Sequence, residues 1–256
     1  MILAVDIGNS NIVFGCIDEQ KIYFVARMAT DRSRMADQYA VEIKNIIGLY
    51  GSDYLDKIDG AIISSVVPPL SLTFREAIVK VTGKAPLLVG PGIKTGLNIL
   101  MDDPAKLGGD LVVDAVAAIA EYKHSIAVID MGTATTISVI DKNACYIGGV
   151  IIPGVRMSVD ALSARAAQLP AISLETPPKR VIGKNTIDCM TSGVIMANAS
   201  MIDGMLDRIE DELGYPVTAV ATGGIAPFIV SYCRRKVICD DNLLLKGLYL
   251  VYKKNS

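Results

Sequence analysis

The strongest constraint on the fold is an internal repeat that begins each half of the chain. Each copy reads as an apolar strand, an aspartate, a glycine with small polar residues, a second apolar strand, a turn and a third strand. The two copies are LAVDIGNSNIVFGCIDEQKIYF (3–24) and AVIDMGTATTISVIDKNACYIG (127–148). Their alignment pairs Asp6 with Asp130, Gly8 with Gly132, Asn9 with Thr133 and Asn11 with Thr135. A spacing of nearly half the chain is too long for a solenoid. It predicts two duplicated domains, each beginning with an antiparallel hairpin.

The polar residues of each repeat suit a phosphate-binding turn. Glycine and small hydroxyl or amide side chains leave backbone N–H groups open to an anion. A carboxylate repels phosphate, but it holds a hydrated Mg²⁺ or a K⁺ that touches the phosphates, or it orients water. Two facing loops would hold a polyphosphate from both sides. Asx-type turns in two structural hairpins are the alternative, and they would explain a single copy well. Two copies at matching positions favour the phosphate site.

Composition limits the classes of function. Of 256 residues, 51% are hydrophobic and 20% are charged, which predicts a large folded core. No apolar run reaches the roughly 18–20 residues of a membrane helix, and no signal peptide is recognisable. The mean hydropathy of +0.42 therefore suggests apolar surface in a subunit interface. A net charge of −2 without a basic stripe argues against nucleic acid as a partner.

The cysteine and histidine content points to a cytoplasmic protein without a histidine-based site. The five cysteines are odd in number and form no C-x-x-C pair, as expected for reduced thiols. His124 is the only histidine, which nearly excludes a Ser–His–Asp triad or a multi-histidine zinc site. We expect His124 to be structural.

Periodicity gives a coarse order of elements. Apolar spacing predicts helices over 32–50, about 70–82, 108–122, 186–213 and 243–253. Apolar runs predict buried strands over 60–70, 85–90 and 217–224, the first ending at Pro68 and Pro69. Hairpins followed by alternating helices and strands, given twice, indicate a duplicated α/β fold. The predicted domains are 1–115 and 116–256.

A series of short motifs in order along the chain resembles the type III pantothenate kinases, within the acetate and sugar kinase/Hsp70/actin superfamily. The matching motifs span almost the whole sequence: DIGNSN (6–11), SSVVPP (64–69), GPGIKTGLNI (90–99), DMGTATT (130–136), GGVIIPG (148–154), GKNT (183–186), ATGG (221–224) and LKGLY (245–249). ATGG or LKGLY alone would be weak, but the whole series is highly specific.

The resemblance implies an α/β fold of two duplicated ribonuclease H-like (actin-like ATPase) domains with the nucleotide cleft between them. It implies a kinase that uses ATP to phosphorylate the primary hydroxyl of pantothenate, the first step of coenzyme A synthesis. It also implies Mg²⁺, a monovalent cation such as K⁺ or NH₄⁺, and a homodimer in which the subunit interface completes the acceptor site.

The same resemblance implies roles for particular residues. The first ATP phosphate loop would consist of Asp6, Ile7, Gly8, Asn9, Ser10, Asn11, Ile12 and Val13. Thr133 would contact the ATP phosphates, and Asp130 would bind the monovalent cation. The acceptor would be bound by Gly108, Gly109, Asp110, Leu111 and Thr186, with Asp110 as the catalytic base.

Asp110 also makes chemical sense as a base without the family. Phosphoryl transfer needs positioning, charge neutralisation and a group that takes the hydroxyl proton. Asp110 follows two glycines at a predicted helix start, where an acceptor has room to approach. The alternative is a structural carboxylate interacting with the helix dipole, worth about 0.3–1 kcal/mol.

The sequence departs from the family near the acceptor site. The family has arginine after the aspartate, and an isobutyl group at Leu111 cannot replace a guanidinium. Met101 in MDDP stands where the family has an aromatic residue in a stretch such as YENP, and Asp114 stands where asparagine is more usual. The candidate replacement cations are Arg156, Arg165, Lys179, Arg180 and Lys184, and a solvated surface charge is the better interpretation for most of them.

These departures leave alternatives of different classes. The chain could be a pantothenate kinase with a rebuilt acceptor pocket, a kinase for another small hydroxyl compound, or a nucleotide-binding regulatory or accessory protein. The phosphate loops and Asp110 argue for an enzyme. Leu111 and Met101 leave the acceptor open.

Overall fold

The computed structural model describes residues 1–174 and 176–256, which form two compact α/β units. The first unit comprises Met1–Leu97, Asp102–Ala120 and Asn242–Ser256, and the second comprises Asn98–Met101 and Glu121–Asp241. No helix within the described ranges combines the length and hydropathy needed to cross a membrane.

Eleven strands and seven α-helices are described in these ranges. The strands are β1 (Ile2–Ile7), β2 (Asn11–Ile17), β3 (Ile22–Ala29), β4 (Gly60–Ser65), β5 (Leu87–Leu88), β6 (Asn98–Ile99), β7 (Ile126–Met131), β8 (Ala134–Ile140), β9 (Cys145–Pro153), β10 (Thr218–Thr222) and β11 (Val237–Cys239). The helices are α1 (Ala36–Tyr50), α2 (Pro68–Thr82), α3 (Gly109–Glu121), α4 (Val155–Arg165), α5 (Thr186–Leu213), α6 (Ala226–Val230) and α7 (Leu243–Asn255).

The two sheets share one topology. The first has the order β3-β2-β1-β4-β5, in which β1, β2 and β3 are antiparallel and β1, β4 and β5 are parallel. The second has the order β9-β8-β7-β10-β11 with the same directions, and β6 pairs with the outer side of β9. The duplication predicted from the sequence repeat is therefore confirmed.

The alternation of side chains along β1 determines which face carries Asp6. Leu3, Val5 and Ile7 belong to the core cluster beneath α1 and α2. Ile2 and Ala4 point to the opposite face, where they form a core cluster with side chains of α3 and α7. Because side chains on one face recur every second residue, Asp6 continues the face of Ile2 and Ala4. The carboxylate therefore lies at the end of the sheet face that α3 and α7 cover.

The predicted helices match the observed ones, with two instructive differences. The helix predicted from residue 32 begins at Ala36, after a loop, and the Met35 N–H donates to Gln38 Oε1 at 2.8 Å to close its first turn. Pro68 and Pro69 do more than end β4, since they occupy the first turn of α2, where proline costs no hydrogen bond.

The division into units differs from the predicted ranges at the C-terminus. The expected boundary at residues 115 and 116 falls inside α3, and α7 packs in the first unit instead of the second. Leu245, Leu248 and Val251 of α7 are buried against the first sheet. Gly247 permits this contact because an added Cβ would lie 2.1 Å from the carbonyl oxygen of Val113 in α3.

Candidate active site

The first hairpin ends in a closed, glycine-dependent tip. The Gly8 N–H donates to the Asn11 carbonyl at 3.0 Å, and a Cβ at Gly8 would lie 2.9 Å from the same oxygen. Asp6 is in register with Val13 on β2 and with Ser64 on β4. The residues predicted to form the first phosphate loop are thus the end of β1, the tip and the start of β2.

The second hairpin repeats this arrangement with a tip that is one residue shorter. Asp130 is in register with Thr136 on β8 and with Thr222 on β10. The register makes Asn11 equivalent to Ala134, although the ungapped sequence repeat paired it with Thr135. That pairing was wrong. The burial patterns of β2 and β8 agree from their second residues onward only in the corrected alignment.

Each aspartate has a hydroxyl-bearing neighbour on the adjacent strand. Ser64 is fully buried beside Asp6, and its Oγ has no hydrogen-bond partner among the described residues. Thr136 Oγ1, on the strand next to Asp130, is likewise buried without a partner in the described part of the chain. Buried hydroxyls in native proteins normally bond to protein or water, so these two need an explanation. The sequence motifs included both residues but gave neither a role.

A helix begins directly at the second tip. Gly154 precedes α4, and a Cβ there would lie 2.1 Å from the Thr133 carbonyl oxygen and 2.8 Å from that of Gly132. The free N–H groups and positive dipole end of α4 are therefore next to the residue predicted to contact phosphates. On the other side, Gly223 has φ +96° and packs against the Met131 backbone, where an added Cβ would collide at 2.7 Å.

Asp110 lies in the first turn of α3, close to the end of β4. The Leu111 N–H donates to Asp110 Oδ1 at 2.9 Å, and a Cβ at Gly108 would lie 2.5 Å from the same oxygen. A Cβ at Gly109 would lie 3.7 Å from Ser64 Oγ. Ser64 thus lies between the strand that carries Asp6 and the helix that carries Asp110.

Burial sets the protonation behaviour of Asp110. Desolvation raises the pKa of the Asp110 carboxyl above its ordinary value, and the Leu111 N–H opposes this effect only in part. A carboxylate with a raised pKa is a stronger proton acceptor, as a general base requires. Asp114, one turn later on the same face of α3, is 2% exposed.

Thr186 is the one predicted acceptor residue that lies in the second unit. Thr186 is exposed and begins α5, and the Asn185 side chain accepts from the Asp188 N–H at 2.9 Å to cap that helix. The five cations considered as replacements for the family arginine also belong to the second unit, and all five are exposed. Leu111 itself is half-buried in the first unit.

The donor set fits a cation that is shared with phosphate. Across 1–174 and 176–256, no three His, Cys, Asp or Glu side chains cluster closely enough to form a protein-only metal cage. Mg²⁺ usually keeps several waters and is held by one or two carboxylates together with substrate phosphates. A single aspartate at each strand end, beside a buried hydroxyl without a partner, suits that mode.

Comparison with known proteins agrees with this geometry. A family model described as type III pantothenate kinase matches residues 2–208. The type III pantothenate kinase of Brevibacillus brevis is 43% identical over 256 residues, covering 100% of both chains. A Baf family transcriptional activator from Campylobacter jejuni has a similar structure, with a TM-score of 0.59 at 22% identity and coverage of 99% and 98%. Component A of the (R)-2-hydroxyglutaryl-CoA dehydratase of Acidaminococcus fermentans gives a TM-score of 0.57 at 12% identity and coverage of 100% and 99%. These two structures show the fold alone.

The duplicated sheets and their aspartate-bearing hairpins define an α/β protein of the actin-like ATPase fold. The chain belongs to the type III pantothenate kinase family. It is therefore a kinase, and ATP with a divalent metal ion are the cofactors that this class of enzyme uses.

Proposed function

We propose that the chain transfers the γ-phosphoryl group of ATP to the primary hydroxyl of pantothenate, forming 4′-phosphopantothenate in the first step of coenzyme A synthesis. Family membership supports the reaction, and one structural observation carries its chemistry. Asp110 sits in the first turn of α3 next to Gly109, where an added Cβ would lie 3.7 Å from Ser64 Oγ. Ser64 is the register partner of Asp6. The proposed proton acceptor and a carboxylate of the proposed phosphate loop thus belong to the same unit.

Asp110 acts as the general base in this proposal. The hydroxyl oxygen of the acceptor attacks the γ-phosphorus, its proton passes to an Asp110 carboxylate oxygen, and the bond from phosphorus to the β-phosphate oxygen of ATP breaks to release ADP. The Leu111 N–H holds one carboxylate oxygen at 2.9 Å and so orients the group. Gly108 lets the carboxylate lie close to the backbone, because an added Cβ there would be 2.5 Å from Asp110 Oδ1.

The two hairpins supply the nucleotide contacts. Residues Asp6 to Val13 form the first phosphate loop, and Thr133 at the second tip contacts the phosphates beside the start of α4. Bound Mg²⁺ would neutralise phosphate charge. Asp6 is the carboxylate of the first loop that would hold this ion. Asp130 would hold the monovalent cation, K⁺ or NH₄⁺, through a hard oxygen ligand.

The proposal extends to the acceptor contacts and to the assembly. Gly108, Gly109, Leu111 and Thr186 would contact pantothenate. A homodimer is supported by apolar side chains that the second unit leaves exposed, since Val181 and Ile182 are 68% and 80% exposed and Ile187 is 56% exposed. A cytoplasmic location stays a prediction from the cysteine pattern.

The observation at Leu111 favours a second candidate, a kinase for another small hydroxyl compound. Pantothenate carries a carboxylate, and the segment from Met101 to Glu121 contains four aspartates before Glu121 and one cation, Lys106. Lys106 already pairs with Asp103 at 3.0 Å. A neutral acceptor would meet less repulsion there.

Mass spectrometry of the products formed from pantothenate and Mg²⁺-ATP, with and without K⁺, tests the proposal. We expect K⁺-dependent phosphopantothenate from the wild type and from Asp211→Asn, a control at an exposed carboxylate on α5. Asp110→Asn should bind ATP and form no product. ATP binding without phosphopantothenate in the wild type would favour the second candidate, which a screen of neutral alcohols would then test. Unchanged turnover by Asp110→Asn would remove Asp110 from the mechanism.

A further inference from the structure

The loop that follows β3 is tied to the tip of the first hairpin by three hydrogen bonds. The Thr30 N–H donates to the Ser10 carbonyl at 3.1 Å, and Thr30 Oγ1 donates to the Gly8 carbonyl at 2.7 Å. Arg32 Nη2 donates to Asn9 Oδ1 at 3.1 Å. Successive residues of the tip are thus each held by this loop, and a guanidinium group stands beside them.

Further hydrogen bonds tie the loop that carries that guanidinium to its surroundings. Asp31 Oδ1 accepts from the Ser33 N–H at 2.9 Å and from Ser33 Oγ at 2.6 Å, and these bonds lower the pKa of Asp31. The buried Tyr39 hydroxyl donates to the Asp31 carbonyl at 2.7 Å and accepts from the Asp31 N–H at 3.1 Å. The N–H and the carbonyl of Asp31 are therefore both bonded to a side chain in the core of the first unit.

Of the two arginines in this loop, only Arg32 has a charge without a counterion. Arg34 pairs with Asp31 and with Glu42. Arg32 is exposed, and no carboxylate of the described residues lies within ion-pair distance of it. The bond to Asn9 uses one N–H group of the Arg32 guanidinium, which has five, and the others remain available.

The segment that follows the third strand of the second unit also brings positive potential to its hairpin tip. The strand registers make Thr30 equivalent to Gly154, because Ala29 and Pro153 occupy matching ends of β3 and β9. In the second unit the chain passes from Gly154 directly into α4, whose dipole end lies against the tip. In the first unit no helix begins there, and the loop carries Arg32 instead.

We infer that Arg32 is a phosphate-binding residue for a nucleoside triphosphate at the first hairpin tip. The inference rests on the proposed binding of ATP phosphates by that tip. Asn9 holds one N–H of the guanidinium, and the remaining N–H groups form charge-assisted bonds to phosphate oxygens, for which the planar fork is well suited. In this position the Arg32 guanidinium would neutralise part of the phosphate charge beside Asp6.

The test compares Arg32→Gln with Arg208→Gln by calorimetric titration of ATP at several salt concentrations. Arg208 is an exposed arginine of α5 that bonds to the Gly204 carbonyl of its own helix, so it matches Arg32 in exposure and type of contact. We expect the Kd of ATP to rise about 10- to 100-fold in Arg32→Gln, as the loss of charge-assisted bonds predicts. The dependence of log Kd on log salt should become less steep, because one charge contact is lost. Arg32→Lys should retain part of the affinity, and Arg208→Gln should match the wild type.

Other outcomes would overturn the inference in distinguishable ways. An ATP Kd within twofold of the wild type in Arg32→Gln would refute it while leaving the proposed function intact. A weaker Kd with an unchanged salt dependence and a lower melting temperature would assign Arg32 a structural role instead. Failure of the wild type to bind ATP would refute the inference and the proposed function together.

Discussion

Replacement of Gly154 by alanine tests whether the contact between α4 and the second hairpin tip is needed for catalysis. The backbone of Gly154, at φ −64° and ψ 159°, is open to any residue, so the substitution causes no backbone strain. The added methyl group would, however, lie 2.1 Å from the Thr133 oxygen, whereas ordinary contact begins at 3.4 Å. The tip and the helix must therefore separate by roughly 1 Å.

This separation should affect catalysis more than stability. Overpacking of this kind costs about 1–3 kcal/mol of the free energy of unfolding. A misplacement of about 1 Å in a positioning group can cost on the order of 100-fold in rate. We therefore expect kcat/KM for ATP to fall about 100-fold in a protein that remains folded. Steady-state kinetics with Mg²⁺-ATP, together with urea unfolding, measure the two quantities separately.

Gly193→Ala provides the matched control in the same unit. A Cβ at Gly193, inside α5, would meet no atom within 4 Å. Removing a glycine from a helix interior should raise the free energy of unfolding by about 0.5–1 kcal/mol, and the kinetics should not change. If Gly154→Ala folds and shows the kcat/KM of the wild type, the second hairpin tip is not a nucleotide-positioning element.

Three further substitutions have expected results of different kinds. Asp110→Asn should raise the melting temperature at pH 7, because the raised pKa of Asp110 means that ionisation costs free energy in the folded state. This gain should disappear below about pH 4, near the unfolded pKa, where both states carry the proton; an unchanged melting temperature at pH 7 would contradict the assigned burial. Gly247→Ala should lower the free energy of unfolding by about 1–3 kcal/mol in urea titrations, because the new methyl group meets the Val113 oxygen at 2.1 Å. Arg235→Met should cost about 1 kcal/mol above pH 5, since Arg235 lowers the pKa of Glu210. That cost should shrink as the pH falls through the folded pKa of Glu210, and a difference independent of pH would exclude the ion pair as its cause.

The topology could be predicted from the sequence because the pattern of the repeat indicates the same strands in both halves of the chain. Alternating apolar residues in both copies fix two antiparallel hairpins, and the glycine and aspartate positions fix where each first strand ends. Asp6 and Asp130 do occupy equivalent places, each partly exposed at the penultimate residue of its strand. Local periodicity likewise located the long helices to within a few residues.

Other features depend on contacts that periodicity does not encode. The two repeats align without a gap, so the sequence does not indicate that the second tip is one residue shorter. The pairing of Asp130 with Thr136 reveals the difference. The start of α1 at Ala36 depends on a loop that bonds to the distant residues Gly8 and Ser10. The packing of α7 on the first sheet likewise joins residues from opposite ends of the chain.

The duplicated units differ beside the hairpin tips, where the candidate chemistry lies. Their sheets keep the same strand order, and the first two strands of each keep nearly the same burial. The position after the third strand, however, is Thr30 in one unit and Gly154 in the other. A threonine can bond to the tip through its side chain, as Thr30 does with Gly8, and the chain then continues as a loop. A glycine lets the backbone approach the tip so closely that a helix begins there. The first solution places a full, salt-sensitive charge on a side chain, and the second places a smaller, fixed potential on backbone N–H groups. An added Cβ at Gly154 would lie 2.1 Å from the Thr133 carbonyl oxygen, so the second unit cannot adopt the arrangement of the first without moving its tip. The two proposed phosphate sites therefore differ in how they supply positive charge.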